Sequence, residues 1–169
     1  MWKTFAQILG RHTADILSRV TDSGPFHIQI HDAPRERPVC ELSVRIDFDG
    51  HLDKEQKKVV GYLICSTVRL NEMRPLLAEI AVHMNLDPAI LETETGPQDI
   101  LSELLNMVIG LTGADWAEHG FEMDFPPPQV LRGQALPAPQ PGDHAFHVIV
   151  SASAGLQVDI AVAFNDRHR

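Results

Sequence analysis

Residues 97–119, PQDILSELLNMVIGLTGADWAEH, place a carboxylate and a carboxamide three positions apart, Glu103 and Asn106, with Gly110 and Gly113 after them. On a helix at about 100° per residue, Asp99, Glu103, Asn106, Gly110 and Gly113 fall inside an arc of roughly 80°. Ile100, Leu101, Leu104, Leu105, Met107, Val108, Ile109 and Leu111 cover most of the remaining circumference. An ordinary surface helix shows a broad face of Lys, Glu and Arg instead. Asn106, Gly110 and Gly113 together weaken the helix by about 2 kcal/mol relative to Ala, and nothing in the local sequence offsets that loss. A carboxamide holds a donor and an acceptor on one plane, so it can orient a water molecule without titrating. The nearby Glu103 can pair with a Lys or Arg of an incoming partner. The pair has no nucleophile and no second base. It therefore suits a bond already activated elsewhere, where holding water in line with the leaving group is what remains. A Glu and an Asn at this spacing also occur on many helices where they only face water, and the residues by themselves leave both readings open.

Other chemistries are excluded by type or spacing. The chain has no Gly-rich phosphate loop, no GxSxG and no HExxH. His144 and His147 stand three apart in a strand-like segment, so they point to opposite faces and cannot chelate together; His119 reads as a cation near a helix C-terminus. No metal site and no cofactor is expected in this chain. A net charge of −9, with Arg35, Arg37, Lys54, Lys57 and Lys58 scattered, argues against a nucleic-acid partner. No apolar run approaches the roughly 20 residues that span a bilayer, and the N-terminus lacks a signal-peptide pattern. Cys40 and Cys65 lie in apolar strand-like segments outside any CxxC, which reads as buried free thiols and a cytoplasmic compartment.

The elements that must hold this helix follow from periodicity. Phe5, Ile8, Leu9, Ile16, Leu17 and Val20 predict a helix over 2–20, and Met73, Leu76, Leu77, Ile80, Ala81 and Met84 a second over 70–86. Strands are expected at 26–30, 39–48 and 59–65, with Asp49-Gly50 as a turn, and again at 121–125, 144–153 and 156–164. Ala154-Gly155 makes the last two a hairpin, and Val130-Leu131 reads as a short strand or bulged edge. Residues 134–142 are a Pro-rich connector. Strands grouped with strands, and alternating rather than solidly apolar, predict an α+β fold: one domain over 1–169, an antiparallel sheet of about six strands, and helices packed on one face.

Asp99-x3-Glu103-x2-Asn106-x3-Gly110, followed by Pro127 or Pro128 and then Val130-Leu131-Arg132-Gly133, resembles the CheC/CheX/FliY family of chemotaxis phosphatases. Residues 2–20 contain no second Glu-x-x-Asn, so the single site is similar to CheX rather than to CheC. The resemblance covers residues 96–164. It departs from the family at Leu111-Thr112, where a small polar pair often follows the glycine. The resemblance implies hydrolysis of the aspartyl-phosphate of a CheY-type response regulator. Glu103 would bind the regulator's lysine and Asn106 would orient the attacking water, while the magnesium ion would belong to the regulator. Asp99 matches the first motif position but equally fits the plain stabilising role of an acid near a helix N-terminus, and Gly110 and Gly113 would let the regulator approach closely. A homodimer is implied as well, with an unpaired edge strand as its physical route. The alternative is a non-catalytic CheX-like adaptor or switch module that binds a regulator without hydrolysing its phosphate.

Overall fold

Period-two alternation becomes strand and 3.6-residue periodicity becomes helix throughout the chain. The computed structural model describes residues 1–34, 36–52 and 57–166, so Arg35 and Lys54 lie outside the described residues. In chain order the elements are α1 (Trp2–Val20), β1 (Phe26–Asp32), β2 (Val39–Leu52), β3 (Lys57–Thr67), α2 (Leu70–His83), a 3-10 turn (Pro88–Glu92), α3 (Gly96–Glu118), β4 (Phe121–Asp124), β5 (Gln129–Ala135), β6 (Asp143–Ala152) and β7 (Gln157–Asp166). The strands form one seven-stranded antiparallel sheet in the order β1-β6-β7-β3-β2-β4, with β5 also paired to β2. β4 and β5 share the outer side of β2, the first pairing with Asp49–Leu52 and the second with Val39–Arg45.

Leu42, Val44, Ile46 and Phe48 of β2 share one face with Leu63 of β3, Val148 of β6 and Ile160 of β7, and all three helices bury their apolar stripes against that face. Cys65 joins this core as a free thiol, and burial pushes its pKa up to about 12, so it stays protonated at physiological pH. A smaller cluster on the opposite face gathers Cys40, Tyr62, Ile64, Ala161 and Ala163 under Leu136. The Pro-rich segment after β5 thus has a packing role: it carries Leu136, 8% exposed, onto the helix-free side of the sheet.

The antiparallel α+β architecture is as expected, and Val130-Leu131 lies in a strand that pairs with β2 on both sides of Gly133 and brings the sheet to seven. Two expectations are corrected. Asp49-Gly50 is no turn: β2 runs on to Leu52, and Gly50 sits opposite Met123. A Cβ on Gly50 would come within 2.3 Å of the Glu122 carbonyl oxygen, so the glycine serves close strand approach rather than chain reversal. The second helix stops at His83 and not at residue 86. Asn85 adopts φ 58°, and Leu86 N–H donates to the Ala81 carbonyl while Asn85 N–H donates to that of Val82. This is the Schellman closure with Asn in the place usually taken by Gly.

Candidate functional site

The ridge that carries Glu103 and Asn106 is held from both ends and from below. At its start, Gly96 N–H donates to Thr93 Oγ1 at 3.0 Å, and a Cβ on Gly96 would lie 1.8 Å from the Ile90 carbonyl oxygen, so only glycine fits. Pro97 follows in the first turn, where its missing N–H is no loss. Arg132 reaches across from β5 and donates to the Glu94 carbonyl (2.7 Å) and to Gln98 Oε1 (2.9 Å). Arg132 was legible only as part of the motif after the prolines; its role as a brace needed the sheet register that puts β5 beside the helix start. At the other end Gly120 takes φ 80° and its N–H caps the Ala117 carbonyl.

Below the ridge, Ile100, Leu101, Leu104, Leu105, Val108, Ile109 and Trp116 are buried. Each such side chain contributes roughly 1.5–3 kcal/mol, which outweighs the loss from Asn106 and the two glycines. The tertiary core therefore imposes a helix on a sequence with poor local propensity at these three positions. Trp116 is fully buried, donates from Nε1 to the Phe5 carbonyl at 3.0 Å, and meets the rings of Phe5, Phe48, Phe121 and Phe164.

Asp115 ties α3 to α1. Arg11 donates to its carboxylate, His12 Nε2 lies 3.0 Å from Oδ2, and His119 Nδ1 lies 3.2 Å from Oδ1. Desolvation opposes ionisation of this carboxyl, but the His12 hydrogen bond and the Arg11 charge outweigh it and hold the pKa below the ordinary 3.8. Its contribution to stability is present above pH 3.8 and is lost as pH falls through the depressed value. Asp115→Asn should flatten the acid side of the stability profile in that window and lower the melting temperature at pH 7. A thermal-denaturation series from pH 7 to pH 2.5 on both proteins checks this, and parallel profiles would remove Asp115 from the account.

The stripe itself splits into two kinds of residue. Asp99, Asn106 and Gly110 are exposed, and Glu103 and Gly113 are half-buried. Among the described residues, the side chains of Asp99, Glu103 and Asn106 make no hydrogen bond or ion pair. Gly110 has nothing within 4 Å of where a Cβ would stand, so the fold does not require glycine there. At Gly113 a Cβ would stand 3.2 Å from the Phe125 ring, and that close approach is internal to the chain. The apolar cylinder drawn from the sequence is also incomplete, since Leu111 is exposed and Met107 only half-buried.

The histidines expected to diverge do so. His144 stacks on Trp2 with ring centroids 5.5 Å apart, whereas His147 faces Asp159. Among the described residues no three His, Cys, Asp or Glu side chains converge as metal ligands, and no helix is long and apolar enough to cross a membrane. A cleft of about 760 Å³ lies away from the ridge on the helix-free face, lined in part by Arg45, Asp47, Tyr62, Asp143 and Asn165. Most of its polar groups are engaged: Arg45 Nε donates to Asp47 (2.8 Å), the Arg45 guanidinium sits 4.9 Å above the Tyr62 ring, Asn165 donates to Asp143 (2.6 Å) and Asp49 pairs with Lys58 (2.8 Å), while Asp124 makes no side-chain hydrogen bond or ion pair among the described residues. The ridge, whose polar side chains are unengaged, is the better candidate.

No protein-family model and no curated protein matches the sequence. Solved structures do match the fold. A chemotactic CheC-like protein from Shewanella oneidensis superposes with a TM-score of 0.71 at 15% identity, covering 98% of this chain and 100% of that one. The chemotaxis protein CheX from Vibrio vulnificus gives 0.71 at 17% identity, covering 96% and 99%. CheX in a complex with CheY, BeF3 and Mg2+ from Borrelia burgdorferi gives 0.61 at 14% identity, covering 92% and 97%. The chain has the CheX-like fold that the order of elements implies.

Proposed function

We propose that the chain is a phosphatase acting on the aspartyl-phosphate of a CheY-type response regulator, with the α3 ridge as its contribution to a shared active site. The observation that carries this reading is Asn106: an exposed carboxamide without a hydrogen-bond partner among the described residues, one turn from the unengaged Glu103 and one turn from a glycine that the fold does not need. Docking alone has little use for a group that orients water, which favours hydrolysis over the adaptor reading. The solved complex of a CheX with CheY, BeF3 and Mg2+ supports the choice of partner by likeness of fold.

In the proposed reaction Glu103 pairs with a lysine of the regulator and fixes the register of docking. Asn106 enters the regulator's site and holds a water in line with the phosphorus–oxygen bond to be broken. The water oxygen attacks phosphorus, the bond to the aspartyl oxygen breaks with its electrons returning to the carboxylate, and inorganic phosphate leaves. The magnesium ion is the regulator's. Asp99 lies on the same exposed line as a further docking contact, while Gly113 acts behind it by seating Phe125. A homodimer, if formed, has the free outer edge of β1 available for strand pairing, which analytical ultracentrifugation would test.

The test is phosphate release from purified phosphorylated regulators of the same organism, with wild type, Glu103→Ala and Asn106→Ala. Glu103→Ala should raise KM and Asn106→Ala should lower kcat. Binding without any acceleration of phosphate release would favour the adaptor reading. Gly110→Ala adds a sharper check: its methyl meets nothing inside the fold and removes a helix glycine, so unfolding should become harder by about 0.5–1 kcal/mol. The same methyl stands on the docking ridge, so KM should rise. A variant both more stable and equally active would dissociate Gly110 from docking.

A further inference from the structure

Beside the ridge, on the Glu103 side, a groove opens between the three helices. Met107 and Leu111 of α3, Ile16, Arg19 and Val20 of α1, and His83 of α2 line a hollow of about 290 Å³. Arg19, Val20 and His83 carry it on into a second hollow of about 500 Å³ that reaches Glu79 and Val82. On the helical wheel Met107 stands about 40° and Leu111 about 80° beyond Glu103, away from Asn106, so ridge and groove form one surface. The fold leaves apolar area uncovered along it, with Leu111 38% exposed and Val82 58%. The charges are arranged along its length. Arg19, exposed and without an ion pair among the described residues, stands where the two hollows meet, and Asp22 also lines the second. Glu79, with its Oε2 buried and without a hydrogen-bond partner among the described residues, lies in the second hollow, away from the ridge.

We infer that this groove seats a second segment of the regulator whose phosphorylated site meets Glu103 and Asn106. The segment is an amphipathic helix that packs apolar side chains on Met107, Leu111 and Val82, turns a carboxylate to Arg19 and an ammonium or guanidinium to Glu79. The inference rests on the phosphatase reading of the ridge and adds to it the surface that selects among regulators. An apolar groove continuous with a polar site is how a helix-binding surface supplies both affinity and register. Leu111, exposed at the mouth of the groove beside the ridge, becomes a specificity residue: it acts on which regulator docks, not on the water that Asn106 holds.

The experiment uses the full chain and a panel of CheY-type regulators from the same organism, loaded with beryllofluoride for binding and phosphorylated for turnover. The variants are Leu111→Asn, Arg19→Glu, the conservative Leu111→Met and, as a remote control, Val39→Asn on β2, where the side chain is 60% exposed. Leu111→Asn and Arg19→Glu should each weaken binding of the best regulator roughly tenfold, with kcat at saturation unchanged. The Arg19→Glu deficit should shrink in high salt, as a screened charge contact does. Leu111→Met and Val39→Asn should bind as wild type does, and equal melting temperatures across the set would exclude misfolding. If wild type binds and hydrolyses, and Asn106→Ala alone fails to hydrolyse, while Leu111→Asn and Arg19→Glu bind undiminished, the groove proposal is overturned and the ridge stands. If wild type binds no regulator of the panel, the reading of the ridge falls and the groove falls with it.

Discussion

Asn106→Ala should reduce phosphate release from the phosphorylated regulator by about a hundred- to a thousandfold, the range lost when one positioned group at a reacting centre is removed. The fold gives no reason for a larger or a diffuse effect. Asn106 is exposed and its amide makes no hydrogen bond to the described residues, so truncation leaves no buried partner behind. Alanine is the better helix former, and stability should rise by a few tenths to about 0.5 kcal/mol. Binding to the beryllofluoride-loaded regulator should change by no more than a few-fold, because Glu103 and the exposed helix surface are intact. Asn106→Asp is the companion variant. It keeps size and shape but loses the amide donors and brings a negative charge toward a phosphoryl group, so turnover should fall at least as far. A stopped-flow or phosphate-sensor assay at saturating regulator separates these predictions from a docking defect. A tenfold loss of binding with unchanged kcat in Asn106→Ala would assign the residue to recognition instead.

Trp116→Ala should cost about 3–5 kcal/mol of unfolding free energy, the range for emptying a large buried aromatic site. Trp116 has no exposed surface, its indole N–H serves the Phe5 carbonyl, and its ring meets four phenylalanines from α1, β2, β4 and β7. Collapse around the void is limited because those rings already pack on one another, as Phe5 does on Phe121 and Phe48 on Phe164. Domains of this size have only about 5–15 kcal/mol in hand, so the variant sits near the edge of folding. Trp116→Phe separates packing from hydrogen bonding: it keeps most of the ring volume and removes only the indole bond to the Phe5 carbonyl, which lies within α1 and retains its helix donor, so the hydrogen-bond part of the loss should be about 0.5–1.5 kcal/mol. Urea denaturation followed by circular dichroism measures both. The consequence for function is indirect. Trp116 fixes the half of α3 that carries Gly110 and Gly113, so residual activity in Trp116→Ala should track the folded fraction, with KM per folded molecule near wild type.

The stripe of polar and small residues on α3 was legible in the sequence because it is local. Side chains at i, i+3 and i+7 share a face by helix geometry alone, whatever the helix packs against, and Asn106 and Gly110 stand out against apolar neighbours for the same reason. Strand segments were legible where alternation was clean, as in β6 and β7. The failures were non-local. Asp49-Gly50 has the composition of a turn, and only the arrival of β4 at residues 121–124, some seventy positions later in the chain by count of the register pairs, makes Gly50 a site of close strand approach. β5 looked like a fragment because its partner, the first half of β2, is still more distant in the chain.

What the sequence alone determined is therefore a helix with one carboxylate, one carboxamide and a glycine in line, and the α+β order of elements around it. Tertiary structure decided which parts of that helix face outward. It gave Gly113 an internal neighbour in Phe125, left Gly110 open, uncovered Leu111 beside a groove built from three helices, and set Arg132 and Asp115 to hold the ridge at its two ends. The reason is physical: periodicity fixes the angles between side chains on one element, but exposure depends on what the rest of the chain brings to each side.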